Sequence, residues 1–217
     1  DVCSSDLALA YFPSTKKTLS LIREYDPDVT FCLSTNGLML PFYVEELSQL
    51  GVSHVTVTVN SVDPEIGAKI YKHVDYMGKV YRGVAGATIL MANQLAGLKL
   101  LANKGIICKV NCVVLKRINE DHIEEVVKTV KDIGVYITNI MQMIPVQGSA
   151  FENMGQVSIK DINQIRKKCE VHLKQMYHCK QCRADAVGTL DNDLSIEYRG
   201  CSESCSSSSS AKEASPF

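Results

Sequence analysis

Two thiols separated by two residues, Cys179 and Cys182 in "HCKQCRADAVG", carry the plainest chemistry in the chain. That spacing lets both sulfurs reach one metal centre. It also suits a redox disulfide, but such a pair opens a helix after a strand, and this one follows a helix. A zinc site wants a second pair, and Cys201 with Cys205, in a serine-rich tail, are the nearest candidates. An iron–sulfur cluster completed by ligands from elsewhere is the remaining chemistry, and the spacing alone does not choose.

The composition narrows the field. The chain has 217 residues, 46% hydrophobic and 22% charged, with a formal net charge of −1. This is enough for one domain with a sizeable core. It gives no electrostatic reason to expect nucleic acid or a membrane surface. The longest apolar run, "GVAGATILMANQLAGLKLLANKG", contains Asn93, Gln94 and Lys99 and reads as a buried helix rather than a membrane span. No charged-then-apolar leader opens the sequence, so a cytoplasmic location is expected. Nine cysteines, an odd number without a leader, argue against a secreted disulfide scaffold.

Strands and helices alternate. "VTFCLS" (29–34), "HVTVTVN" (54–60), "GIICKVNCVVL" (105–115) and "YITNIMQMI" (136–144) read as strands. Helices are expected over 14–25, from Pro41 to about Leu50, briefly after Asp63-Pro64, over 83–103, and where Ile123, Val126, Val127, Val130 and Ile133 recur, capped by Asn119. Ser158 with Asp161 predicts a capping box for a helix running to about Lys174. The pattern implies parallel βαβ units, either doubly wound or curled into a full or partial barrel; four strands do not close one. Residues 1–13 fit nothing that follows and read as a foreign junction or remnant leader. Residues 14–175 form the barrel part, 176–190 a Cys-x-x-Cys extension, and 191–217 a disordered serine-rich tail.

Strand parity sorts the side chains, because alternate residues point to opposite faces. Val55, Val57 and Val59 share one face of their strand, and Thr56, Thr58 and Asn60 the other. Lys109 and Asn111 lie together, opposite Cys108, Val110 and Cys112; Thr30, Cys32 and Ser34 also fall on one side. The valine face should pack under helices and the polar face should look into a barrel interior, with functional groups at the C-terminal ends of the strands. A lysine there is costly unless it meets an internal carboxylate or an anionic ligand. By the same parity Cys108 and Cys112 are core thiols, Cys169 is structural, and Cys32 is an inward thiol that either packs or ligates metal.

Beyond these patterns, "CLSTNGLMLPFYVEELSQLGVSHVTVTVNSVDPEIGAKIY", "KVNCVVLKRINEDHIEEVVKTVKDIGVYITNIMQMIPVQGSAF" and "HCKQCRADAVG" resemble, in order, the nitrogenase cofactor-maturation family of radical S-adenosylmethionine enzymes. The resemblance covers about residues 14 to 190. It implies an α/β fold, a partial (β/α) barrel of the radical SAM type incomplete at its N-terminus. It implies 4Fe–4S clusters and S-adenosylmethionine as cofactors. The implied reaction fuses two 4Fe–4S clusters around a carbon from the methyl group into the iron–sulfur–carbide precursor of the nitrogenase cofactor. Implied partners are cluster donors and cofactor carrier or scaffold proteins. By similarity Ser34, Asn36, Asn60, Lys109 and Asn111 contact the nucleoside or amino-acid part of S-adenosylmethionine. Cys32 matches a ligand of one substrate cluster, and Cys179 with Cys182 ligands of another.

One departure bears on activity. The family's three-cysteine motif, with spacings of three and two, occurs nowhere in the 217 residues. The expectation is that this chain alone does not cleave S-adenosylmethionine, so that no catalytic residue is assigned to it. Two other readings stand beside the enzyme: a non-catalytic iron–sulfur scaffold, and an unrelated β/α enzyme with a zinc-binding cysteine pair.

Overall fold

A computed structural model describes residues 7–177 and the backbone of 188–189 and 192–193. The first compact unit ends at Cys179. A short 3₁₀ turn (Leu7–Leu9) leads into α1 (Phe12–Tyr25); then come β1 (Phe31–Thr35), α2 (Leu40–Gln49), β2 (Val52–Thr58), α3 (Pro64–Ile70), the hairpin β3 (Val74–Tyr76) and β4 (Lys79–Tyr81), α4 (Gly83–Asn103), β5 (Ile107–Val114), α5 (Ile123–Ile133), β6 (Ile137–Gln142) and α6 (Ile159–Glu170). In the second unit two-residue strands, β7 (Gly188–Thr189) and β8 (Asn192–Asp193), pair antiparallel.

All four expected strands form one parallel sheet in the order β1-β2-β5-β6. Its apolar face carries Val55, Val57, Cys108, Val110, Cys112 and Ile140, which share a core with Phe12, Leu19, Leu47, Leu98, Leu101, Val126, Val130, Ile162 and Cys169 from α1, α2, α4, α5 and α6. Those helices therefore lie on one side. A doubly wound sheet would carry them on both, so the arrangement is part of a β/α barrel, with the polar face as its interior.

The helix starts follow local chemistry. Asp63 accepts from the Glu65 amide at the head of α3, and Ser158 from the Asp161 amide at the head of α6. The helix α4 is long and apolar enough by composition to cross a membrane, yet Leu90, Gln94, Leu98 and Leu101 are buried within this fold. Gly97 lets it approach α2: a Cβ there would stand 2.7 Å from Leu40 Cγ.

Four expectations differ from what is seen. First, α1 begins at Phe12 rather than residue 14, and Leu9 and Phe12 are in the core, so the chain packs with the fold from Leu9 on. Second, the hairpin β3–β4 was not anticipated. Its turn residues Met77 and Gly78 both have positive φ, 52° and 73°, the geometry that joins tightly twisted strands. Third, α6 stops at Glu170. The chain then runs beside β6, where the Thr138 amide donates to Lys174 O and the Met176 amide to Thr138 O. Fourth, Asn119 does not cap α5; His122 holds that position without a side-chain bond. Asn119 is fully buried instead, taking the Leu115 amide on Oδ1 and donating from Nδ2 to Asn60 O and Val113 O.

Helices α5 and α6 are joined by Glu124, which meets Lys168 at 2.6 Å, Lys128 at 3.0 Å and His172 at 2.9 Å. The hydrogen bond from Lys168, then those from His172 and Lys128, pull its pKa down from 4.5 to about 2. A carboxylate with a depressed folded-state pKa stabilises above its unfolded pKa, and the gain fades as pH falls toward the folded one. The melting temperature of Glu124→Gln should therefore trail the wild type by a constant, modest margin above about pH 5, and the gap should close between 4.5 and 2. Thermal melts across that range check it; an unchanged gap at the acid end contradicts it.

Candidate functional site

The register of the sheet stacks the polar face in rows. Nearest the strand N-termini, Cys32 aligns with His54 and Ile107; next come Ser34, Thr56, Lys109 and Ile137; then Thr58, Asn111 and Asn139. Just past the end of β2, Asn60 Oδ1 accepts the Val113 amide, adding a last row that includes Met141, the register partner of Val113. Residues 32, 34, 60, 109 and 111 thus share one face, as parity predicts. From Cys32 to Asn60 the face runs six residues along β2, roughly 20 Å.

Each expected cofactor-binding residue has a distinct setting. Ser34 and Asn36 are exposed. Asn36 Oδ1 takes the Leu38 amide, Thr35 Oγ1 takes the Gly37 amide, and Gly37 turns with φ +82° where a Cβ would stand 2.9 Å from Val57 and Gln94 side-chain carbons. Only glycine suits that turn. It is anchored from behind by the buried Gln94, whose Nε2 donates to Asn36 O and Thr58 O. Lys109 and Asn111 are half-buried. None of the ion pairs among the described residues involves Lys109, so the internal carboxylate partner is not found there. Asn60 is 1% exposed, and its Nδ2 has no hydrogen-bond partner.

Sequence reasoning missed three contributors. Asn139 lies opposite Asn111 and donates to its Oδ1 at 3.3 Å, while its own buried Oδ1 has no partner. The alternation Ile137, Asn139, Met141 carried that signal. Gln94 and Asn119 hold the strand ends from behind, and nothing in local spacing marks them. Above the last row, Val113 and Leu115 pack with Ile66, Tyr71, Met143, Phe151 and Met154 into an apolar cluster. Beside it, Lys116, Arg117, Ser149, Glu152 and Asn153 help line a cleft of about 570 Å³.

The cysteines divide as expected, with one change. Cys108, Cys112 and Cys169 are buried; loss of solvation pushes the thiols of Cys108 and Cys169 up to about 11 and that of Cys112 further up. Cys32 is exposed on the open polar face, not buried, because no further strand covers β1 among the described residues. Cys179 and Cys182 lie outside the described residues. Native alkylation with iodoacetamide should mark Cys32 and leave Cys108, Cys112 and Cys169 unmodified, read by peptide mass spectrometry; labelling of the three buried thiols at the rate of Cys32 contradicts this.

A parallel sheet with helices on one face and an amide-lined polar face on the other defines the β/α-barrel fold class, and the sequence says which family of it this is. The pattern of the Radical SAM superfamily matches residues 5–130, and the chain belongs to that superfamily, whose members work with a 4Fe–4S cluster and S-adenosylmethionine. More particularly, it is 47% identical over 195 residues to the FeMo cofactor biosynthesis protein NifB of Bradyrhizobium diazoefficiens, covering 88% of this chain and 39% of that protein. NifB of Herbaspirillum seropedicae is 43% identical over 88% of this chain and 37% of its own length. That of Frankia alni is 42% identical over 85% and 38%. The resemblance read from the three motifs is borne out, and the chain spans about two fifths of these relatives. Among solved structures, a domain of pyruvate-formate lyase-activating enzyme from Bacteroides vulgatus superposes with a TM-score of 0.56 at 11% identity, over 77% of this chain and 91% of that one. A radical SAM methyltransferase from Sphaerobacter thermophilus gives 0.56 at 13%, over 76% and 47%. These likenesses bear on the fold alone.

The residues fit the two cofactors unequally. Buried amide groups without partners cost free energy, and on an open polar face they suit a polar ligand such as an adenosyl group. For a cluster, no grouping of three or more His, Cys, Asp or Glu occurs among the described residues.

Proposed function

We propose that this chain is the cofactor-cradling part of a NifB-type enzyme, in which the polar sheet face binds the adenosyl and amino-acid parts of S-adenosylmethionine. The observation that carries this is the placement of Ser34, Lys109, Asn111 and Asn60 on the face opposite the helices, where Lys109 has no ion-pair partner among the described residues and Asn60 Nδ2 is buried without a hydrogen-bond partner. Ser34, Asn36, Asn60 and Asn111 supply hydrogen bonds, and Lys109 a cation for the carboxylate. The 4Fe–4S cluster, when bound, supplies the electron for cleavage, and it needs three thiolates. No Cys-x-x-x-Cys-x-x-Cys occurs in these 217 residues, so the chain by itself does not perform that step. Two further 4Fe–4S clusters are substrates, fused around a methyl-derived carbon into the carbide-containing precursor. Cys179 with Cys182 ligate one of them and Cys32 the other. Cluster donors and cofactor carriers of nitrogenase assembly are the partners, and the location is cytoplasmic.

Anaerobic reconstitution with iron and sulfide tests this. The chain should take up iron with acid-labile sulfide. Joint Cys179→Ala and Cys182→Ala replacement should remove about half of it, and Cys32→Ala should lower the remainder. Joining the chain to a segment that carries the three-cysteine motif should yield 5′-deoxyadenosine from S-adenosylmethionine, whereas the chain alone yields none. Stoichiometric zinc without sulfide, or iron unchanged in the cysteine variants, would overturn the ligand assignment.

A further inference from the structure

The turn that follows β2 has few ties to the rest of the fold. Asn60 is held firmly: its Oδ1 takes the Val113 amide, and its carbonyl takes Asn119 Nδ2. Beyond it the bonds stay local. The Ser61 hydroxyl donates to Asp63 O and accepts the Asp63 amide, and Asp63 caps α3. Among the described residues, one hydrogen bond ties 61–63 to another element. The Val62 amide donates to His122 Nε2 at 3.1 Å, across 60 residues of sequence.

His122 is itself fixed. Its amide donates to Asn119 O, and its carbonyl takes the Glu125 and Val126 amides at the head of α5. Its ring caps nothing on its own helix and reaches across to the turn instead. An imidazole nitrogen that accepts carries no proton, so the ring must be neutral with its proton on Nδ1. A proton added at Nε2 sets two N–H groups head to head and breaks the bond. The ring is half-buried and lines a cleft of about 290 Å³ with Ile66, Arg117, Glu120 and Asp121, so solvent protons reach it.

We propose that His122 is a positioning residue: neutral, it holds the β2–α3 turn at the rim of the ligand face, and protonation releases that turn and weakens ligand binding. This rests on the reading of the face as an adenosyl site. What the turn carries explains the coupling. It leaves Asn60 and launches α3, whose Ile66 and Ile70 join Val113 and Leu115 in the apolar cluster beyond the last polar row. The surrounding charges do not keep the ring protonated. Asp63 and Glu125 favour the cation, and Glu120 and Asp121 share the cleft with Arg117, yet loss of solvation is the largest influence and draws the pKa below 6.5. None of the ion pairs among the described residues involves His122. The neutral form therefore prevails at neutral pH, and affinity falls on the acid side of 6.5.

Calorimetric titration of the chain with S-adenosylhomocysteine from about pH 8 to about pH 4.5 tests this, with the His122 ring nitrogens followed by NMR in the same samples. At the alkaline end the ring should show the Nδ1–H tautomer. Affinity should fall about fivefold as that ring titrates. The side-chain oxygen of His122→Gln can accept the Val62 amide and does not titrate, so its affinity should match the wild type at the alkaline end and stay level. In His122→Phe affinity should be about fivefold lower throughout. Thermal melts establish that each variant is folded. An Nε2–H tautomer, a wild-type affinity that stays level while the ring titrates, an acid fall that persists in the glutamine variant, or a phenylalanine variant that binds like the wild type overturns the role of His122 and leaves the adenosyl site standing. A wild type that binds no ligand overturns the adenosyl reading and the coupling with it. The hold on the turn is then read from the protection of the Val62 amide against exchange, which must drop as the ring protonates and refutes the hold if it does not.

Discussion

Replacing Asn119 with alanine should lower stability by about 3 kcal/mol or more, a loss of roughly 6–12 °C in melting temperature for a chain of this size. The residue is 0% exposed and makes three hydrogen bonds to backbone groups. Truncation leaves the Leu115 amide and the Asn60 and Val113 carbonyls short of a partner in the interior, at about 1–3 kcal/mol for each group left unsatisfied. A cavity adds to that. The variant should also bind S-adenosylhomocysteine more weakly while still folded, since Asn119 holds the Asn60 carbonyl and so the height of the last polar row. Chemical denaturation gives the first number and calorimetry the second. A stability change below about 1 kcal/mol would mean that water replaces the side chain and that this latch is dispensable.

The second large effect is expected at Lys109, where affinity should fall while stability holds. The residue is half-buried, and none of the ion pairs among the described residues involves it. Lys109→Met removes a charge that has no ion-pair partner among the described residues and keeps the apolar stem, so the free chain should be about as stable as the wild type. If the lysine meets the ligand's carboxylate, the same change removes one partner of a shielded ion pair, which costs about 2 kcal/mol or more, or at least roughly 30-fold in affinity. Lys109→Arg should recover part of that loss. A destabilised methionine variant with unchanged affinity would assign Lys109 to the fold rather than the ligand.

Much of the architecture was legible because a half-polar strand announces itself. The alternation of Val55, Val57 and Val59 with Thr56, Thr58 and Asn60 sorted both faces of β2 before any coordinates, and the cysteines of β5 fell on the apolar side as their parity required. Periodicity did not choose between a doubly wound sheet and a barrel, because it shows which side of a helix is apolar but not which side of the sheet it covers; the family resemblance chose the barrel, and the structure has it. Asn119 deceived for a related reason. An asparagine shortly before an apolar-periodic run looks like a cap, yet a cap and a buried latch differ only in where the side chain points, and tertiary contacts decide that. The stop of α6 at Glu170 was hidden because the next residues still have helix-compatible types; the backbone edge of β6 draws them into pairing. Cys32 was placed on the right face but given the wrong exposure, since parity says nothing about what stands in front of a strand.

The candidate site shows the same division. Parity put Ser34, Asn60, Lys109 and Asn111 on one face, and the structure places them there; Asn36, named by resemblance, is exposed in the turn after β1. Asn139 became visible only through register, since its importance lies in the residue it faces across the strand pair.

The claim on which the account turns is that the amide row of the polar face receives an adenosyl ligand. Nitrogen-15 spectra of the chain report the side-chain carboxamides individually. On addition of S-adenosylhomocysteine, the signals of Asn60, Asn111 and Asn139 should shift saturably and together, while those of Asn93, bonded to Ile89 O on α4, and Asn163, beside Arg166 on α6, stay in place. Shifts confined to Asn93 and Asn163, or saturating binding that leaves the three interior amides unmoved, would contradict it.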